Sequence, residues 1–261
     1  MINLNKEIEL AYAHTQKFIE TNNLSGEVLG VFAYGSMNHN LYIEEVSDVD
    51  CYAIYVPTLG EAILQTRAIS TTIQYPYGAI TVKDVRDAGK MLKKGAPNFL
   101  EILYTDYYKI NPAYEILWGL LLKPNRETIV YSNPVGTLNA AMGHVYNNIS
   151  KDKNKGDFKT LITALYLSDY MSKYLMKRPY LECITATEGL KELRISLIFD
   201  TEDDPDKSEI VKKQLDILTQ EMDFLKPIIA RSKFDNAHYQ KIANRVIDKF
   251  VYASIKKGIK E

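Results

Sequence analysis

Thiols are scarce in this chain of 261 residues, which has only Cys51 and Cys183. So far apart in sequence, they offer neither a disulfide framework nor a zinc site. Cys51 lies inside an apolar run and reads as a small core residue. No run of about 18 apolar residues occurs, so no helical membrane span is expected. The stretch MINLNKEIELAYAH carries charges where a signal peptide has an apolar segment. A reducing, cytoplasmic location without a membrane partner is the expectation. Net charge is nearly absent too: 32 Lys+Arg against 33 Asp+Glu leave −1, short of the basic excess of a dedicated non-specific nucleic-acid binder. The four histidines (His14, His39, His144, His238) have no metal-ligand spacing. No Gly-x-x-x-x-Gly-Lys-Ser/Thr loop is present, which argues against a P-loop ATPase. Internal repeats and low-complexity segments are missing as well.

What is present is an ordinary globular composition, 46% hydrophobic and 25% charged, with 19 tyrosines. Apolar positions recur at helical spacing over residues 4–21. Val28–Tyr34 and Val49–Val56 are short apolar runs and read as buried strands. Pro57 opens a helix to Gln65, and Gly78–Lys83 is a third strand. Asp84 and Asp87 suit the start of a helix that ends at Gly95, and Pro97 starts another. Beyond Pro112 the pattern is helical, over 113–122, 134–150, 157–177, 187–199, 206–230 and 236–257, with an Asp-rich turn at Thr201–Asp206. The change from mixed to helical sets a boundary near residue 125. The expected fold class is α/β (α+β), a small mixed sheet with flanking helices over 1–125 and a helical C-terminal region over 126–261.

The chemically informative stretch is Gly35-Ser36, eleven residues, then Asp48-Val49-Asp50. In a strand, residues 48 and 50 share a face, their Cα atoms roughly 6.6 Å apart. Two carboxylates so placed repel each other unless a cation lies between them, and a hard divalent ion such as Mg²⁺ or Mn²⁺ suits oxygen ligands. A glycine after a buried strand permits a tight turn and close approach of a ligand. The amides from Ser36 onward, its hydroxyl and that of Ser47 can donate to phosphate oxygens.

This ordered combination, with Ser47 and apolar flanks, resembles the DNA polymerase beta-like nucleotidyltransferase superfamily over about residues 28–56. Lys93-Lys94-Gly95-Ala96-Pro97-Asn98-Phe99-Leu100-Glu101 further resembles the Lys-Gly-Asn-Pro-Asn-x-x-Glu stretch of a poorly characterised bacterial and phage branch. The helical layout over Lys159–Leu175, Pro179-Tyr180-Leu181 and Leu193-Arg194 is similar too, extending the likeness loosely to 28–200. The resemblance implies transfer of a nucleoside monophosphate from a nucleoside triphosphate to an acceptor, with release of pyrophosphate. It assigns Mg²⁺ or Mn²⁺ to Asp48 and Asp50, and nucleotide contacts to Gly35, Ser36, Ser47 and Asn98. The helical region would then close over the cleft and supply most acceptor contacts. The acceptor stays open between a small molecule, RNA and protein.

Two departures stand beside it. Gly78, Ala79 and Ile80 occupy the place where the family carries a third carboxylate, so Asp84, Glu101 or no residue fills that role. The branch's His and Arg are missing from Lys159–Leu165. Asp84 also reads as a helix cap, Glu101 as a structural anchor or a site member, and Lys90, Lys93 and Lys94 as partners of a helix dipole. Residues 231–261 hold eight basic and three acidic residues; they form a solvated face, or a surface for tRNA or a protein partner. The function expected is metal-dependent nucleotidyl transfer. The alternatives are a catalytically impaired nucleotide-binding protein and an antitoxin-like modifier of a partner protein.

Overall fold

Two of the apolar runs lie side by side in the middle of a sheet. In the computed structural model, which describes residues 4–64, 68–151, 158–199, 205–232 and 234–258, β1 (Glu27–Ala33) and β2 (Cys51–Val56) are buried at nearly every position. A strand covered on both faces has no polar side to show, hence the unbroken apolar runs. The two pair antiparallel, from Glu27 opposite Val56 to Ala33 opposite Cys51. β3 (Ser70–Tyr75) and β4 (Gly78–Asp84) form a hairpin, and β4 runs parallel to β2 with Ile80 opposite Cys51. β5 (Tyr108–Ile110) pairs antiparallel with β1. The order is β3-β4-β2-β1-β5: a mixed sheet with flanking helices and a helical C-terminal region, the expected α/β class.

α1 (Leu4–Thr21) covers one face of the sheet, burying Ile8, Ala11, Thr15 and Ile19 at helical spacing. α2 (Leu59–Ile63) starts two residues later than the Pro57 reading because Thr58 and Glu61 form a capping box. The expected end of this helix, Gln65, lies outside the described residues. α3 (Val85–Lys94) begins after Asp84 and stops at Gly95, whose φ of 72° is the left-handed conformation glycine adopts most easily. α4 (Pro97–Leu100) has its proline in the first turn. α5 (Pro112–Leu117) continues through a wider turn at Trp118–Leu122, and α6 (Arg126–Val130) follows. Next come α7 (Pro134–Lys151), α8 (Phe158–Leu175), α9 (Tyr180–Ile184), α10 (Glu188–Phe199), α11 (Pro205–Arg231) and α12 (Ala237–Lys257). Residues 201–204 of the Asp-rich turn lie outside the described residues. Among the described residues, no helix is long and apolar enough to cross a membrane.

Asp84 turns out to be a cap. Its carboxylate is 1% exposed, accepts from the Arg86 amide at 2.8 Å, and pairs with the Arg86 guanidinium at 2.6 Å. Asp84→Ala removes both contacts. We expect a loss of about 2–4 kcal/mol in unfolding free energy, read by urea titration.

The described residues fall into two compact units. One draws on the segments Met1–Asn38, Glu44–Asn133 and Asn236–Glu261; the other on His39–Ile43 and Pro134–Asp235. α12, which the sequence reading grouped with the helical region, therefore belongs with the sheet. It packs on α3 and α6, burying Ala243, Ile247 and Phe250, and Phe250 meets Trp118 edge to face. The Asn236 side chain donates to the Ser132 carbonyl, so the two chain ends that flank the second unit are tied together within the first. In the second unit α11 packs on α7 and α8. His39 stacks on Tyr166 there, with ring centroids 4.1 Å apart.

Candidate functional site

The site is built where β1 ends and β2 is about to begin. Tyr34, just past β1, donates its amide to the Asp50 carbonyl at 3.0 Å. Gly35 follows with φ +78°, a backbone that glycine adopts without strain, and opens a single 3₁₀ turn, Gly35–Met37. The Gly35 amide donates to a Glu101 carboxylate oxygen at 3.0 Å. Glu101 is 2% exposed and sits in the turn directly after α4. The Lys-Gly-x-Pro-Asn stretch thus brings a buried carboxylate against the Gly-Ser turn, across 66 residues of sequence.

The two aspartates lie in the segment leading into β2, not in the strand itself, which starts at Cys51. This corrects the expectation of a strand from Val49. Asp48 is exposed and Asp50 half-buried. An Asp50 carboxylate oxygen (Oδ1) accepts from the Ala79 amide at 3.1 Å. Gly78 makes that approach close: a Cβ there would lie 2.8 Å from the Val49 carbonyl oxygen and 3.2 Å from the same Asp50 oxygen. By the parallel register, Ala79 is the β4 residue level with Asp50. β4 therefore lies where the third carboxylate was expected, and an alanine is the residue there.

Two tyrosines complete the floor, and the sequence reading missed both. Tyr34 and Tyr52 stack with centroids 4.2 Å apart, and Tyr52 meets Phe99 edge to face. Burial, then the Asp50 charge, pushes the Tyr34 phenol up to about 12; a hydrogen bond with Thr81 opposes the shift, and Cys51 and Glu101 add to it. Tyr52 is shifted up by burial, and then by Tyr34, Glu101 and Asp50. The signal was available in the alternation along β2: Tyr52 is two residues beyond Asp50 and shares its side of the pleat. Both tyrosines had been absorbed into the apolar runs.

The structure thus brings together Gly35 with Glu101, and Asp50 with Ala79, around Tyr34. The side chains of Ser36, Asp48 and Asn98 make no hydrogen bond among the described residues. Asn98 lies half-exposed on α4, and Ser47 half-exposed before Asp48. Among the described residues no group of three or more His, Cys, Asp or Glu is close enough to hold a metal ion. Asp48 and Asp50 therefore do not form a complete cation site by themselves. Mg²⁺ commonly takes one or two carboxylates and completes its shell with water and substrate phosphates.

Glu101 can be tested as anchor and as site member separately. Glu101→Ala leaves the Gly35 amide unpaired beside a void, and we expect a loss of about 2–4 kcal/mol in stability. Glu101→Gln keeps an acceptor for that amide, so its melting temperature should stay close to that of the parent. A melting temperature for Glu101→Gln as low as that of Glu101→Ala would show that the charge itself holds the turn.

Comparison with protein-family models and with curated proteins finds no match for this chain.

Proposed function

We propose that the protein binds a nucleoside triphosphate with Mg²⁺ or Mn²⁺ at this site and transfers its nucleoside monophosphate to an acceptor. The observation that carries the reading is the Gly35-Ser36 turn, held by buried Glu101 and set one ladder rung from Asp50. In this reading the amides and hydroxyl of the turn receive the β and γ phosphates. Asp48 and Asp50 hold the cation, which would neutralise charge on the triphosphate. Ser47 and Asn98 contribute polar contacts to the nucleotide. Glu101 acts by fixing the turn, and Tyr34 and Tyr52 close the floor against water. Most of the rate enhancement in such chemistry comes from positioning and charge stabilisation.

One observation favours a second reading, nucleotide binding without transfer: Ala79 is level with Asp50 on β4, so no carboxylate there can take the acceptor's proton. Incubation with each α-labelled triphosphate, Mg²⁺ or Mn²⁺, and a cell extract separates the two. Label on an acceptor with pyrophosphate release is the expected result. Calorimetric binding without release supports the second reading; neither binding nor release would overturn both.

A further inference from the structure

Charge in this molecule is far from evenly spread. α3 and α12 together carry nine basic and two acidic residues, a net of +7 in a chain whose total is −1. The sequence shows an excess only in the tail; the fold raises the +4 of α12 to +7 by laying α3 alongside. The two helices are in direct contact. A Cβ on Gly89 would lie 2.7 Å from Val251 and 3.3 Å from Ile247, and Lys93 pairs with Asp248. The other acid, Asp87, is paired with Lys90.

The outer face of α12 is organised. Lys241, Arg245, Tyr252 and Lys256 recur at intervals of four, seven and four residues, which puts them on one stripe. All four are exposed, and Tyr252 is 68% exposed, an aromatic ring placed among cations. Lys249, on the flank of the stripe away from α3, and Lys94, at the end of α3, are exposed as well.

The stripe has a direction. α3 is capped by Asp84, opposite Tyr55 near the far end of β2, and ends at Lys94, seven residues before Glu101, which touches Gly35. Its lysine-rich end is therefore at the Gly35–Asp50 end of the sheet. α12 runs back against it, and Gly258 comes to rest beside Val56 and Pro57. Lys241 and Arg245 accordingly lie toward the candidate site, and Lys256 toward the opposite end.

We propose that the α12–α3 face binds single-stranded nucleic acid. The cations follow the phosphate backbone, and Tyr252 stacks on an unpaired base. A helix of 21 residues at about 1.5 Å per residue spans roughly 31 Å. Even at the stacked duplex rise of ~3.4 Å per phosphate, a strand would run past it for at most roughly nine phosphates. A positive track combined with an exposed aromatic platform is what sequence-tolerant recognition of single strands requires. Paired bases would leave the ring with nothing to stack on. The proposal concerns binding alone and does not depend on transfer at Asp50.

The test uses the full chain and fluorescein-labelled homopolymers of about 20 nucleotides, uridylate and thymidylate, with a duplex of equal length and anionic vesicles as further arms. Anisotropy at about 50 mM salt should show binding to the single strands, weakening steeply toward about 200 mM. The triple variant Lys241→Ala/Arg245→Ala/Lys256→Ala should bind at least tenfold more weakly, with an unchanged circular dichroism spectrum. Tyr252→Ala should weaken the single strands about tenfold and leave any duplex binding unchanged. The RNA and DNA arms identify which strand is preferred. No binding at low salt, affinity untouched by the triple variant, or tighter binding to vesicles than to the strands would overturn the proposal. Equal weakening of duplex and single strand by Tyr252→Ala would overturn its single-strand part.

Discussion

Raising the pH past about 10 is expected to unfold this protein abruptly, with the buried tyrosines ionising only as the chain opens. Burial holds the phenols of Tyr52, Tyr55, Tyr75, Tyr104, Tyr114 and Tyr174 above their ordinary value of 10.0. All six are buried. A phenol whose folded value is raised loses its proton in the unfolded chain first. Its stabilising effect is complete below pH 10 and is lost as pH climbs toward the folded value. One group changes stability by at most about 1.4 kcal/mol per pH unit in that window, and six by about 8 kcal/mol per unit. A domain of ordinary stability holds about 5–15 kcal/mol in all, so one to two pH units suffice. Tyrosinate absorbance and far-ultraviolet circular dichroism should therefore change together in one transition. Smooth ionisation of all the tyrosines with helicity intact would show that these phenols are accessible in the folded state.

Asp50→Asn should abolish nucleotidyl transfer and leave the fold standing. The reason lies in what asparagine keeps. Its side-chain oxygen can still accept from the Ala79 amide, so the contact that seats residue 50 against β4 survives. What disappears is the negative charge, half of the pair proposed to hold the cation. Removing a single preorganised group that stabilises transition-state charge costs about 10²–10³ in rate, and losing a group that holds the cation should cost at least as much. The melting temperature should stay within a few degrees of the parent. Retained full transfer would sink the site assignment.

Much of this architecture is legible in the residues, for reasons that differ by element. Leu4–Thr21, Val85–Lys94 and the long helices from Pro134 onward announce themselves by apolar spacing and by end signals such as Asp84 and Gly95. β1 and β2 are readable because both faces are covered. β3 is not, because STTIQY is an edge strand whose Ser70, Thr72 and Gln74 face outward, and its alternation resembles a polar linker. β5 has three residues, too few for any period. At the site, the Gly-Ser turn and the aspartates are visible as types and spacing. The Glu101–Gly35 contact is not, since nothing local in either segment specifies a partner 66 residues away. The place of α12 was hidden for the same reason: an amphipathic helix shows that it has a buried face, not which neighbour buries it.

That last helix has a consequence for how the protein is made. The sheet, α3 and Trp118 are translated before the other unit, yet the surface that Ala243, Ile247 and Phe250 fill is completed only by a helix translated after it. About a hundred residues of the other unit are translated in between, which at roughly 5–20 residues per second is a delay of about 5–20 s. During that interval the nascent chain carries an uncovered apolar seam, a natural holding point for a chaperone. A nonsense codon in the first turns of α12 would accordingly do its greatest harm to the sheet and helices synthesised well before it.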